Sequence, residues 1–144
     1  MKENDTIRLL RECDAGIKMG RAAIDDVIGH VSDERFSQIL RRSDKEHERL
    51  DAELRALLSQ CDDGGKEPAL LAKGMSWLKT NFRLAADSSD ETAADLMTDG
   101  CNMGVKSLHR YLNQYTAADD AAKGLCRRLI ELEEELAADI RPYL

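Results

Sequence analysis

The chain has 144 residues, a formal net charge of −7 and 4% aromatic residues. That length fits one domain able to bury a core without disulfides or metal staples. The acidic balance argues against a general binder of nucleic acid or of anionic membrane, because phosphate binding rests on excess Lys and Arg. No apolar run approaches a membrane span, and Cys13, Cys61, Cys101 and Cys126 form no Cys-x-x-Cys pair, which excludes a zinc knuckle and a thioredoxin-type motif.

The first predicted helix covers 5–30. Leu10, Cys13, Ile17, Gly20, Ile24, Val27 and Val31 recur at steps of three and four, the stripe of a helix packed on other helices. Asn4 or Asp5 caps its start, since a short polar side chain accepts from the orphan amides of a first turn. The second helix covers 32–61 with Ser32 as its cap and Phe36, Leu40, Ser43, His47, Leu50, Leu54 and Leu57 as its stripe. The break is short, so these two helices are antiparallel neighbours.

A connection over about 62–88 follows, opened by Gly64-Gly65. Pro68 suits the first turn of a shorter helix near 68–86, which is expected to bury Leu71, Leu78 and Phe82 and to leave Lys73 and Lys79 outside. Residues 66–86 hold four cations (Lys66, Lys73, Lys79, Arg83) against Glu67, a local +3 in an acidic chain. The third long helix covers 89–115 and begins at Ser88 or Ser89, with Ser88 and Glu91 at capping-box spacing and Met97, Cys101, Gly104, Leu108 and Tyr115 on its stripe. Thr116 caps the fourth, 117–142, whose stripe is Ala122, Cys126, Leu129, Glu133, Leu136 and Ile140.

The second half echoes the first. At an offset of 86, Leu40 to Arg55 aligns with Cys126 to Arg141, and six of sixteen positions are identical, among them Arg41/Arg127, Glu48/Glu134 and Leu50/Leu136. The first and third helices align at an offset of 84, which pairs Met19-Gly20 with Met103-Gly104. A duplication of this kind implies two helical hairpins forming a single domain over 1–144. Both short loops are expected at one end, with the connection running the length of the bundle.

This layout resembles the ferritin-like superfamily, and is most similar to a bacterial group of unknown function whose crossover carries its own helix. The resemblance implies an all-α four-helix bundle. In di-iron members it also implies a carboxylate on the first and third helices and Glu-x-x-His on the second and fourth. Here the second helix offers Asp44-x-x-His47. The fourth reads Ile130-x-x-Glu133 and has no histidine, and the nearest acids on the other two helices are Asp14 and Asp99. The di-iron motif is therefore incomplete.

Counting outward from the short loops places Ile17, His47, Cys101 and Glu133 at one height. Gly20, Ser43, Gly104 and Leu129 fall nearer the loops, and Cys13, Leu50, Met97 and Leu136 beyond. A histidine and a glutamate in an apolar core must find partners, because buried unpaired polar groups are costly. They are expected either to pair with each other or to form a single iron or zinc site from His47, Glu133 and Cys101, since imidazole, carboxylate and thiolate are all ligands for these metals. Asp14, Asp44 and Asp99 are more distant metal candidates. No nucleophile–base–acid set stands at recognisable spacing.

Two functions follow as expectations. One is a non-enzymatic interaction or structural module that binds a protein partner or a second copy of itself, the basic connection of one subunit meeting an acidic face of another. The alternative is a metal-binding ferritin-like protein with an atypical centre. Neither takes nucleic acid or membrane as a partner. The first residues lack the apolar stretch of a signal peptide, and a cytoplasmic protein with reduced thiols is expected.

Overall fold

A computed structural model describes residues 4–61, 63–66, 68 and 89–144. These residues form four long helices, α1 (Asp5–Ile28), α2 (Glu34–Gln60), α3 (Asp90–Gln114) and α4 (Asp120–Ile140), and a closing 3-10 turn, Arg141–Tyr143. The described residues hold no strand. None of the described helices is long and apolar enough to cross a membrane. The helix expected near 68–86, with Leu71, Leu78 and Phe82, lies outside the described residues apart from Pro68, which is buried.

Each helix begins on a short polar side chain that takes an otherwise unbonded amide of the first turn. Asn4 accepts from Ile7 N at 2.9 Å and Ser89 from Thr92 N at 3.3 Å. The caps of α2 and α4 differ from those expected. Asp33 rather than Ser32 accepts from Phe36 N, at 2.8 Å, and Asp119 rather than Thr116 accepts from Ala122 N, at 2.9 Å. The reason lies in the turns. α2 starts at Glu34 and α4 at Asp120, so Asp33 and Asp119 stand directly before the first helical residue, while the Ser32 amide, like that of Asp33, is held by Asp90.

Those same bonds locate the turns. The Asp90 carboxylate, at the start of α3, accepts from Ser32 N and Asp33 N, both at 2.8 Å. At the other end Asp5 accepts from Ala117 N at 3.0 Å, and Thr6 Oγ1 accepts from Asp119 N at 2.9 Å. The α1–α2 and α3–α4 turns therefore lie at opposite ends, not at one end as expected. α2 therefore ends at one end of the bundle and α3 begins at the other. The neighbours α1–α2, α3–α4, α2–α4 and α1–α3 are then all antiparallel, and α1 and α4 approach across a diagonal.

The core falls into two apolar clusters. One, toward the α3–α4 turn, gathers Leu9, Cys13, Ile17, Leu54, Leu125 and Leu129. The other, toward the α1–α2 turn, gathers Ile24, Phe36, Leu40, Met97, Leu136 and Ile140. Phe36 is fully buried and stacks on Tyr143 with ring centroids 4.7 Å apart, which closes that end. Burying each such side chain stabilises the fold by about 1.5–3 kcal/mol.

Where the chain leaves α2 it is tied to α1 by charge. Arg11 donates to Asp63 at 2.6 Å. Asp14, fully buried, accepts from Arg55 and from Lys66 N at 2.8 Å, and pairs with Lys18 at 3.0 Å. Gly65 has φ +88°, and a Cβ there would run into the Asp14 carboxylate. Only glycine fits that turn.

Candidate functional site

At mid-height, between the two apolar clusters, lies a polar layer. His47 on α2 is fully buried and Glu133 on α4 is 7% exposed. Both stand on the core stripe of their helix, which is why they face inward. His47 Nε2 lies 2.8 Å from Glu133 Oε1, and His47 Nδ1 lies 2.7 Å from the Ser43 carbonyl oxygen, one turn back on the same helix. A carbonyl only accepts, so Nδ1 carries a hydrogen and donates to it. A single proton is then shared between Nε2 and the glutamate. Burial disfavours the imidazolium, but the hydrogen bond and charge of Glu133, the Ser43 carbonyl and the charge of Asp44 outweigh it. The His47 pKa is raised as a result.

The approach of α1 makes room for this pair. A Cβ at Gly20 would sit 2.7 Å from His47 Nε2 and 3.2 Å from Glu133 Oε1. Gly104 on α3 faces the same carboxylate, its Cβ position 3.8 Å from Oε2. The glycines thus stand in the polar layer itself. Ile17 joins the cluster above it and Cys101 the cluster below. The residues expected to share the outer layer separate likewise, Cys13 and Leu50 to one cluster, Met97 and Leu136 to the other. Opposite turn ends explain this, because equal steps away from the turns lead in opposite directions along the two hairpins.

Cys101 lies beside the pair, as the stripes suggested. Its thiol is buried against the Glu133 carboxylate, and burial followed by the glutamate's charge pushes its pKa well up. A thiol held in its neutral form is a poor ligand, since the thiolate is what binds metal. The structure thus brings His47, Glu133 and Cys101 together, but not the three aspartates. Asp14 is committed to Arg55, Lys18 and the Lys66 amide. Asp44 pairs with Arg21 at 3.0 Å, and Asp99 is exposed.

Among the described residues no three His, Cys, Asp or Glu side chains converge in a way that holds a metal ion. His47 Nε2 and Glu133 Oε1, the atoms a metal would need, are bonded to each other. The donor set fits neither the di-iron centre that the superfamily resemblance implied nor the single iron or zinc site expected of His47, Glu133 and Cys101.

A cavity of about 220 Å³ opens between α1 and α3. Its walls include Gly16, Gly20, Gly104, Leu108, His47 and Glu133, so the polar pair borders an otherwise mostly apolar space. Sequence reasoning missed the Asp14 anchor. Its only signal was an acid directly beside Cys13 on the core stripe of the first helix. The chain matches no family model, no curated protein and no solved structure.

Proposed function

We propose that this chain is a ferritin-like helical bundle that acts as a non-enzymatic interaction module in the cytoplasm, binding a protein partner or a second copy of itself. In this reading a proton-sharing His47–Glu133 pair stands where a metal centre would be. One observation carries it: both ring nitrogens of His47 are taken, one by Ser43 and one by Glu133, and among the described residues no three His, Cys, Asp or Glu side chains could hold a metal ion. A satisfied polar layer between two apolar clusters serves helix register, because sliding α2 against α4 would leave both groups buried and unpaired.

The helix order supports the ferritin-like part. The hairpins α1–α2 and α3–α4 are antiparallel, and α2 ends at one end of the bundle while α3 begins at the other. His47 and Glu133 are 86 residues apart, the offset at which the second hairpin echoes the first. The paired residues thus occupy matching positions of two duplicated halves. The interaction part draws on Met19 and Met103, large apolar side chains that are 43% and 50% exposed beside Gly20 and Gly104.

Metal analysis of untagged protein, joined to thermal denaturation with added iron or zinc, tests the assignment. The expected result is no stoichiometric metal and no rise in Tm. A bound metal at one per chain, lost in His47→Leu, would overturn it in favour of an atypical metal centre.

A further inference from the structure

The α1–α3 cavity is bordered by groups that helix register does not use. Gly16 and Gly20 on α1 and Gly100 and Gly104 on α3 all line it, one turn apart on each helix and matched at the offset of 84. The 2.7 Å approach to His47 accounts for Gly20 alone. At Gly16, Gly100 and Gly104 an added Cβ would meet no neighbouring atom closer than 3.5 Å. Alanine would fit at these positions and would favour the helix. Close packing therefore does not explain them. Their lack of side chains keeps a space of about 220 Å³ open beside the polar pair.

The floor of that space carries an acceptor. Glu133 is 7% exposed and lines the cavity. Its Oε1 is bonded to His47, whereas among the described residues no N–H or O–H donor bonds Oε2. Oε2 stands on the Gly104 side, 3.8 Å from the Cβ position there. Cys101, which shares the wall, is a weak donor and leaves lone pairs of the carboxylate free. The proton of the pair lies between His47 Nε2 and Oε1, so Oε2 accepts whichever partner holds it. For the same reason the pair as a whole is neutral. Glu12, another acid of the wall, is compensated by Lys66.

We propose that this cavity binds a small neutral molecule of the phenol class, an apolar ring with one hydroxyl that donates to Glu133 Oε2. Size sets the body. An apolar cavity of about 150 Å³ already takes benzene, and this one is larger. The open acceptor sets the head, because a ligand without a donor would bury Oε2 unpaired, while a hydroxyl satisfies it. The neutral floor sets the charge. An ammonium would leave water and meet no net opposite charge, and a carboxylate would face an acceptor. Met19 and Met103, half-exposed on the wall, are flexible side chains that can move aside to admit such a molecule.

Titration of the full chain with phenol, toluene and benzylammonium, followed by calorimetry and by amide NMR shifts, decides the matter. Phenol is expected to bind saturably at one per chain and to shift the amides of Gly16, Gly100 and Gly104. Toluene has the same shape and leaves water more readily, so an apolar space alone would prefer it. Phenol should reverse that preference and bind the tighter of the two, and benzylammonium should bind more weakly than either. Gly104→Ala sets a methyl 3.8 Å from Oε2, an ordinary contact that the fold accepts. It should shield that oxygen and lower phenol affinity by about tenfold. No saturable phenol binding at millimolar concentration, toluene binding at least as tightly as phenol, benzylammonium binding at least as tightly as either, or a folded Gly104→Ala protein with unchanged phenol affinity would overturn the proposal. Should that variant fail to fold, the comparison of phenol with toluene on the unaltered chain is decisive alone.

Discussion

Adding one methyl group at Gly20 tests the packing of the polar layer. Gly→Ala inside a helix ordinarily stabilises by about 1 kcal/mol, because alanine restricts the unfolded chain and glycine does not. At Gly20 the new Cβ would lie 2.7 Å from His47 Nε2 and 3.2 Å from Glu133 Oε1. The imidazole cannot swing aside, since Ser43 holds its other nitrogen at 2.7 Å. The methyl must therefore break the pair or push α1 away. Breaking a buried charge pair costs about 3–5 kcal/mol. Less the helix gain, the expected net loss is about 2–4 kcal/mol, or roughly 6–14 °C in Tm for a domain of this size. Gly124→Ala is the control, because nothing stands within 4 Å of its Cβ. It should gain about 1 kcal/mol. Urea and thermal denaturation of the two variants beside the parent measure both effects. A Gly20→Ala protein as stable as Gly124→Ala would refute the close approach of α1 to the pair.

Two further outcomes follow from the charged groups. The native His47 pKa lies above its ordinary value of 6.5, so the folded state binds that proton more tightly than the unfolded chain. The stability it contributes is complete below about pH 6.5 and is lost as pH rises through the raised native value. Denaturation midpoints across pH 5–9 should fall over that window in the parent and stay flat there in His47→Leu, and a parent profile that does not fall would count against the shared proton. Asp14→Ala strips a buried acceptor from Arg55 and from the Lys66 amide, and should cost about 2–3 kcal/mol. Gly65→Ala, which meets the same carboxylate from a left-handed backbone, should destabilise as well. An Asp14→Ala protein of unchanged stability would show that the anchor contributes nothing.

The helices were legible because periodicity at steps of three and four is set by which face meets the core. The polar layer was legible for a second reason. His47 and Glu133 stand near the middle of α2 and α4, so counting from either end brings them to one height. Away from the middle that symmetry fails. Placing both short turns at one end put Cys13 beside Met97, while the Asp90 and Asp5 bonds send them to different clusters. Caps were ambiguous because Ser32 is followed by Asp33, and Thr116 comes shortly before Asp119. Only the turn geometry selects between them. The Asp14 anchor was invisible, since its partners lie 41 and 52 positions away. No periodicity reports which residues meet across helices.

The pairing of His47 with Glu133 is tested most directly by a double-mutant cycle with His47→Leu, Glu133→Leu and the two combined, measured by urea denaturation at pH 6. Each single change leaves a buried polar group without its partner and should cost about 3–5 kcal/mol. The double change leaves neither, and should cost clearly less than the sum, with a coupling of about 2 kcal/mol or more. Losses that simply add would show that the two side chains do not interact, and the polar layer would then not be the register device proposed.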